Sequence, residues 1–133
     1  MHIVIIEPDS KYRDIIELNI NEVVELNDVD MASFDSSEEA LGFIEILDDV
    51  ALVVCKDNFE SKHSIVYLSK KLDERGLKIP IISIGHDTGD AKNVYNTLSE
   101  TATAGEIAKS VLDFLKKRKM SDESKEKEEE LRS

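Results

Sequence analysis

The chain is short of the residues that staple, break or anchor a small protein. It has one cysteine, Cys55, which excludes an internal disulfide and supplies no Cys/His spacing of the zinc kind. Its prolines number two, Pro8 and Pro80, and both fall beside strand-like runs. Long apolar runs are missing: none approaches the roughly 20 residues that a membrane-spanning helix needs. The first residues lead straight into a strand-like run with no basic flank of a secretory signal, so the expectation is a cytosolic protein without membrane association. Basic charge is short as well. Of 17 basic and 29 acidic residues, seven and six lie from residue 116 on, which leaves 10 and 23 in residues 1–115. So acidic a body repels nucleic acid and anionic lipid, whose binding depends on basic groups that displace counterions. A macromolecular partner is expected to be a protein.

The 133 residues suit one domain with a single core, and 41% hydrophobic with 35% charged residues is an ordinary soluble composition. The periodicity predicts β and α elements in alternation, with no internal repeat. Residues 3–6 form a β-branched run typical of a strand buried on both faces, stopped by Pro8. Asp9 or Ser10 caps a helix to about residue 26, with Tyr12, Ile15, Ile16, Leu18, Val23 and Val24 as its apolar stripe. Residues 29–34 follow as a strand, and a capping box from Ser36 to Glu39 opens a helix that faces inward through Ala40, Leu41, Ile44 and Leu47. Residues 50–55 read as the central strand, and residues 63–75 as a helix with Ile65, Leu68 and Leu72 together and Gly76 as its left-handed cap. Pro80 introduces a strand at residues 81–84, a short helix is expected at 91–93, and residues 94–98 form a fifth strand. A second capping box, Thr103 to Glu106, opens a last helix with Ile107, Val111, Phe114 and Leu115 on its apolar side. Residues 119–133 have only Met120 and Leu131 as large apolar side chains and read as a charged tail, a solvated helix extension or a linker.

Five strands alternating with helices argue for an α/β, doubly wound parallel sheet, in which sites form beyond the C-terminal strand ends. Those ends gather Glu7 and Asp9, Cys55 and Asp57, and Gly85, His86 and Asp87. A buried thiol at a strand end reads as packing for Cys55 ahead of a redox role that Lys56 would have to support. Adjacent loop residues His86 and Asp87 usually point apart, and no nucleophile motif accompanies them. Gly85 and Gly89 match neither a P-loop nor a GxGxxG turn. The segment EPDSKYR after the first strand is too acidic and bulky for a flavin phosphate, so no cofactor is expected. Glu7, Asp9 and Asp57 form the one acidic group to which a divalent cation could be drawn, although no metal is expected there.

The segments IVIIEPDSKYR, VALVVCKDNF and IPIISIGHD, in this order, resemble the response-regulator receiver domains of bacterial two-component signalling over about residues 2–118. The resemblance implies the CheY-like (βα)5 frame, strand order 2-1-3-4-5, and a pocket of two acids, a phosphoaccepting aspartate, a hydroxyl and a Lys-Pro. Glu7 matches the first acid. Pro8 stands at the second, Val54 or Cys55 at the acceptor, Gly85 at the hydroxyl, and Leu98-Ser99-Glu100-Thr101 lacks the Lys-Pro. Several parts of one reaction are missing together, so the chain reads as a pseudo-receiver. It is expected to be a module without enzymatic activity that docks a protein or homodimerises through its fourth helix, fifth strand and fifth helix, around Val94, Tyr95, Ile107 and Lys109. The charged tail would tether an effector domain or serve as a flexible arm. The alternative is an atypical receiver that still switches, by a cation, a ligand or phosphorylation near Asp57.

Overall fold

The computed structural model describes residues 1–24, 29–56, 65–85 and 93–132, the last from residue 119 as backbone alone. In chain order the elements are β1 (His2–Ile6), α1 (Ser10–Val23), β2 (Asp30–Phe34), α2 (Ser37–Ile46), β3 (Val50–Lys56), α3 (Ile65–Glu74), β4 (Ile81–Ile84), β5 (Val94–Leu98) and α4 (Ala104–Arg132). The strands form one all-parallel sheet in the order β2-β1-β3-β4-β5. The expected doubly wound architecture and strand order are therefore observed. Of the expected short helix at 91–93, residues 91 and 92 lie outside the described residues, and Asn93 is in a turn.

The caps act as their sequence suggests. Asp9 accepts the N–H groups of Lys11 and Tyr12, Ser36 Oγ accepts that of Glu39, and Thr103 Oγ1 that of Glu106. Gly76 ends α3 with a φ of 70°, and the Leu77 N–H returns to the Leu72 carbonyl, a bond pattern that a left-handed residue permits.

Side-chain alternation along the strands builds two cores. Ile3, Ile5, Leu52, Val54, Ile82 and Ile84 pack beneath α1 and α4, whereas Val4, Ile6, Val53, Cys55 and Ile81 pack beneath α2 and α3. The stripe expected on α1 needs correction. The buried row is Ile16, Ile20 and Val24, with Tyr12 packed beside it, while Ile15, Leu18 and Val23 are 48%, 59% and 42% exposed. Residues 12, 16, 20 and 24 form a single i, i+4 ridge, and a helix already packed against both sheet and α4 along that ridge leaves the other positions outside. Toward its end, α4 carries its helical backbone through residues 119–132 without a break.

Replacing Ile20 by Ala is expected to lower unfolding free energy by about 2–5 kcal/mol, and Leu18→Ala to change it by less than about 0.5 kcal/mol. Urea unfolding of both variants checks the assignment, and the reverse ranking would refute it.

Candidate functional site

Strand parity decides which side chains meet at the C-terminal edge. Ile5 and Val54 point to the α1 side of the sheet, so two residues on, Glu7 and Lys56 share that side. They also stand level, one step beyond the Ile6–Cys55 pair of the β1–β3 ladder. Glu7 is only 3% exposed, and Lys56 Nζ lies 3.8 Å from its Oε2. That is an ion pair too long for a direct hydrogen bond, and Oε2 is a buried atom with no hydrogen-bond partner. Oε1 accepts the Asp9 N–H at 3.2 Å. The Lys56 ammonium also stands 5.2 Å from the centroid of the Tyr12 ring, within cation–π range. Beyond the ring, the Tyr12 hydroxyl donates to the Ala102 carbonyl at 2.8 Å, in the turn between β5 and α4.

Burial raises the pKa of Glu7 above the usual carboxylate range. The Asp9 N–H and then the Lys56 ammonium oppose the rise, the Asp9 carboxylate adds to it, and Arg13 opposes it least. Burial, with Glu7 and Glu106 nearby, also pushes Tyr12 up, so its phenol stays a donor to Ala102.

The other expected pocket residues are placed as follows. Pro8 is exposed and offers no side-chain oxygen, and Asp9 is exposed with Oδ1 spent on the α1 cap at 2.9 and 3.3 Å. Cys55, 1% exposed, faces the α2–α3 side, its Sγ 3.8 Å from the Lys56 carbonyl oxygen. Val54 is one residue deeper and lies in the core under α1. Gly85, with φ 132°, holds the end of β4 to β5 through its N–H to the Leu98 carbonyl at 2.9 Å. Asp57 and His86 lie outside the described residues.

A hard divalent cation needs six or more oxygen ligands, several of them from the protein. The side chains here do not fit one. Glu7 Oε2 faces an ammonium, Oε1 faces an N–H, Pro8 has no donor atom, and Asp9 caps a helix. Among the described residues no three His, Cys, Asp or Glu side chains come together as a metal site.

At the opposite edge, Tyr95 is 37% exposed, meets Phe114 edge-on at 5.1 Å, and has Lys117 Nζ 5.7 Å from its ring centroid. Lys109 is exposed, and Val94 is partly buried against the α2–α3 core. Ile107 does not belong to this surface: it is 0% exposed in the core under α1, because α4 turns it toward the sheet along with Val111. Four residues of these two sites were not foreseen as members. Parity at the end of β3 would have singled out Lys56, and proximity to the Asp9 cap would have singled out Tyr12. Phe114 and Lys117 sit one helical turn apart on α4, but only a known β5 neighbour gives that spacing meaning.

Comparison with protein-family models and with curated proteins finds no match. Solved structures do match. The receiver domain of Francisella response regulator 1452 superposes with a TM-score of 0.69 at 18% identity, covering 88% of this chain and 98% of that one. A CheY-like receiver domain protein from Methanospirillum hungatei gives 0.67 at 12%, covering 85% and 92%. The N-terminal domain of a response regulator/sensory box/GGDEF three-domain protein from Carboxydothermus hydrogenoformans gives 0.68 at 13%, covering 91% and 98%. The chain has the receiver fold. No helix among the described residues is long and apolar enough to cross a membrane.

An acid whose pKa rises on folding contributes stability that is full below its unfolded pKa and is lost as pH rises through the folded one. Glu7→Gln keeps the shape without the charge. It is expected to equal or exceed the wild type in stability at neutral pH and to lose any advantage below about pH 4, where the glutamate itself is protonated. Urea unfolding across that range checks it, and an advantage that grows on acidification would count against it.

Proposed function

We propose that this chain is a signalling module on a receiver frame that has no phosphoryl-transfer chemistry and acts by binding a protein, or a second copy of itself, through the surface of β5 and α4. The observation that carries this reading is the occupancy of the crevice. Lys56 ends β3 on the side of the sheet that Glu7 faces and supplies the charge opposite it, whereas Cys55, level with Ile6 and Ser83, is buried on the α2–α3 side. A thiol cannot form the acyl phosphate that a carboxylate would, and Cys55 is nearer that strand end than Val54. Pro8 in place of a second acid, Gly85 in place of a hydroxyl, and Ser99-Glu100-Thr101 in place of a Lys-Pro support the same conclusion. With no metal set and no oxygen nucleophile facing Glu7 among the described residues, the module is read as a binding domain and not as an enzyme.

Tyr95, Lys109, Phe114 and Lys117 make the docking surface. An exposed aromatic beside cations suits a protein partner, since such residues anchor interfaces. The acidic body disfavours nucleic acid and anionic membranes, and the module works in the cytoplasm. Residues 1–118 form the module, and residues 119–133 connect it to an effector domain, as the Carboxydothermus receiver heads a three-domain protein.

Backbone NMR with Mg²⁺ and beryllofluoride tests the central claim. No localised shifts are expected at Glu7, Cys55, Lys56 or Ala102. Shifts there that vanish in Asp57→Asn would overturn it in favour of a phosphorylation switch. The surface has its own test in sedimentation velocity. A dimer that Tyr95→Glu dissociates without lowering the melting temperature assigns the face to self-association, whereas a monomer leaves it for another protein. A dimer indifferent to Tyr95→Glu would refute the β5–α4 assignment.

A further inference from the structure

We infer that Lys56 is the resident cation of the crevice: its ammonium holds the place beside Glu7 that a divalent metal would need, and so closes this site to metal. The inference deepens the proposed function and rests on it for its consequence, but it concerns the occupancy of the site by cations and not phosphorylation. Three observations on different elements converge. Parity and register bring Glu7 and Lys56 to the same side and the same level of the sheet. Glu7 Oε2 is buried with no hydrogen-bond partner, and the charge facing it is Lys56 Nζ at 3.8 Å. The ammonium is backed by the Tyr12 ring at 5.2 Å, so it is held at two points while the side chain remains 35% exposed.

An ammonium and a divalent ion cannot both stand within contact of one carboxylate without strong repulsion in a partly dehydrated site. A metal could reach Oε2 only after Lys56 swung out to solvent, which would cost the ion pair and the ring contact together. Asp9 compensates only in part, because its Oδ1 accepts the N–H groups of Lys11 and Tyr12 and leaves Oδ2 alone to a cation. The site is also linked to the turn before α4. Tyr12, which backs the ammonium, is bonded through its hydroxyl to Ala102 at the entrance to α4. Lys56 and Ala102 thus contact the same tyrosine, one at its ring and one at its hydroxyl.

Amide line broadening by Mn²⁺ on the full chain tests this. In the wild type, Mn²⁺ is expected to cause no localised broadening at Glu7, Asp9 and Lys56 beyond that of the acidic surface generally. In Lys56→Met, which keeps the stem and removes the charge, localised broadening is expected with an apparent affinity on the order of tenfold or more tighter, as follows from removing a like charge in contact. Adding Glu7→Gln to that variant is expected to abolish it. Localised broadening at Glu7 in the wild type at the concentrations that affect Lys56→Met would overturn the inference, as would a folded Lys56→Met that stays silent. Should Lys56→Met fail to fold, Lys56→Gln takes its place, and the wild-type titration can still overturn the inference alone. Mn²⁺ at Glu7 in a wild type that ignores beryllofluoride refutes only this inference. A beryllofluoride response lost in Asp57→Asn refutes the proposed function.

Discussion

Glu7 ends one of the most enclosed strands of the sheet, and a carboxylate buried there needs hydrogen bonds and a counter-charge to offset the loss of water. The surrounding geometry follows from that need. The turn after β1 brings the Asp9 N–H back to Oε1, which also sets Asp9 where its own carboxylate caps α1. The cap orients the first turn of α1 so that Tyr12 covers the site. Lys56, the last residue of β3, supplies the opposite charge from the neighbouring strand. Acid, cap, ring and ammonium thus depend on one another, and the Tyr12–Ala102 bond extends the group to the start of α4.

Much of the frame was legible in the sequence because its signals are local. Short β-branched runs, capping residues followed three positions later by glutamate, and Gly76 at a helix end each act through their own neighbours. What was illegible depended on packing between distant segments. The six apolar residues expected to line α1 span too much of the helix surface to be buried together, and only the position of α4 selects the row Ile16, Ile20 and Val24. Ile107 belongs by periodicity to the apolar side of its helix and by the receiver resemblance to the partner face, and the register that buries Val111 decides for the core. In the crevice, the sequence shows which residue types stand at each position, but not which of them face one another. Lys56 follows the acceptor position and looks like a loop residue until the ladder shows it level with Glu7.

The charged end of the chain raises a different point. Residues 119–132 lack the apolar side chains that would bury a helix face, yet their backbone continues α4. Helical backbone bonds are internal to the segment, and the sequence sets Glu123 four residues before Lys127 and Glu128 four before Arg132, the spacing and order that favour a solvated helix. A helical segment of this kind is stiffer than a coil, so it extends the direction of α4 outward.

A receiver that switches does so because a ligand binds one of its states better than the other, and the size of the response is bounded by that difference. Metal and phosphoryl group are such ligands because their occupancy can change. A lysine on β3 has no concentration to vary. Its attachment to the chain makes the counter-charge present whenever the domain is folded. With Pro8 after it and Lys56 beside it, the buried Glu7 takes its counter-charge from the chain itself, in the place to which a cation from solution would otherwise be drawn.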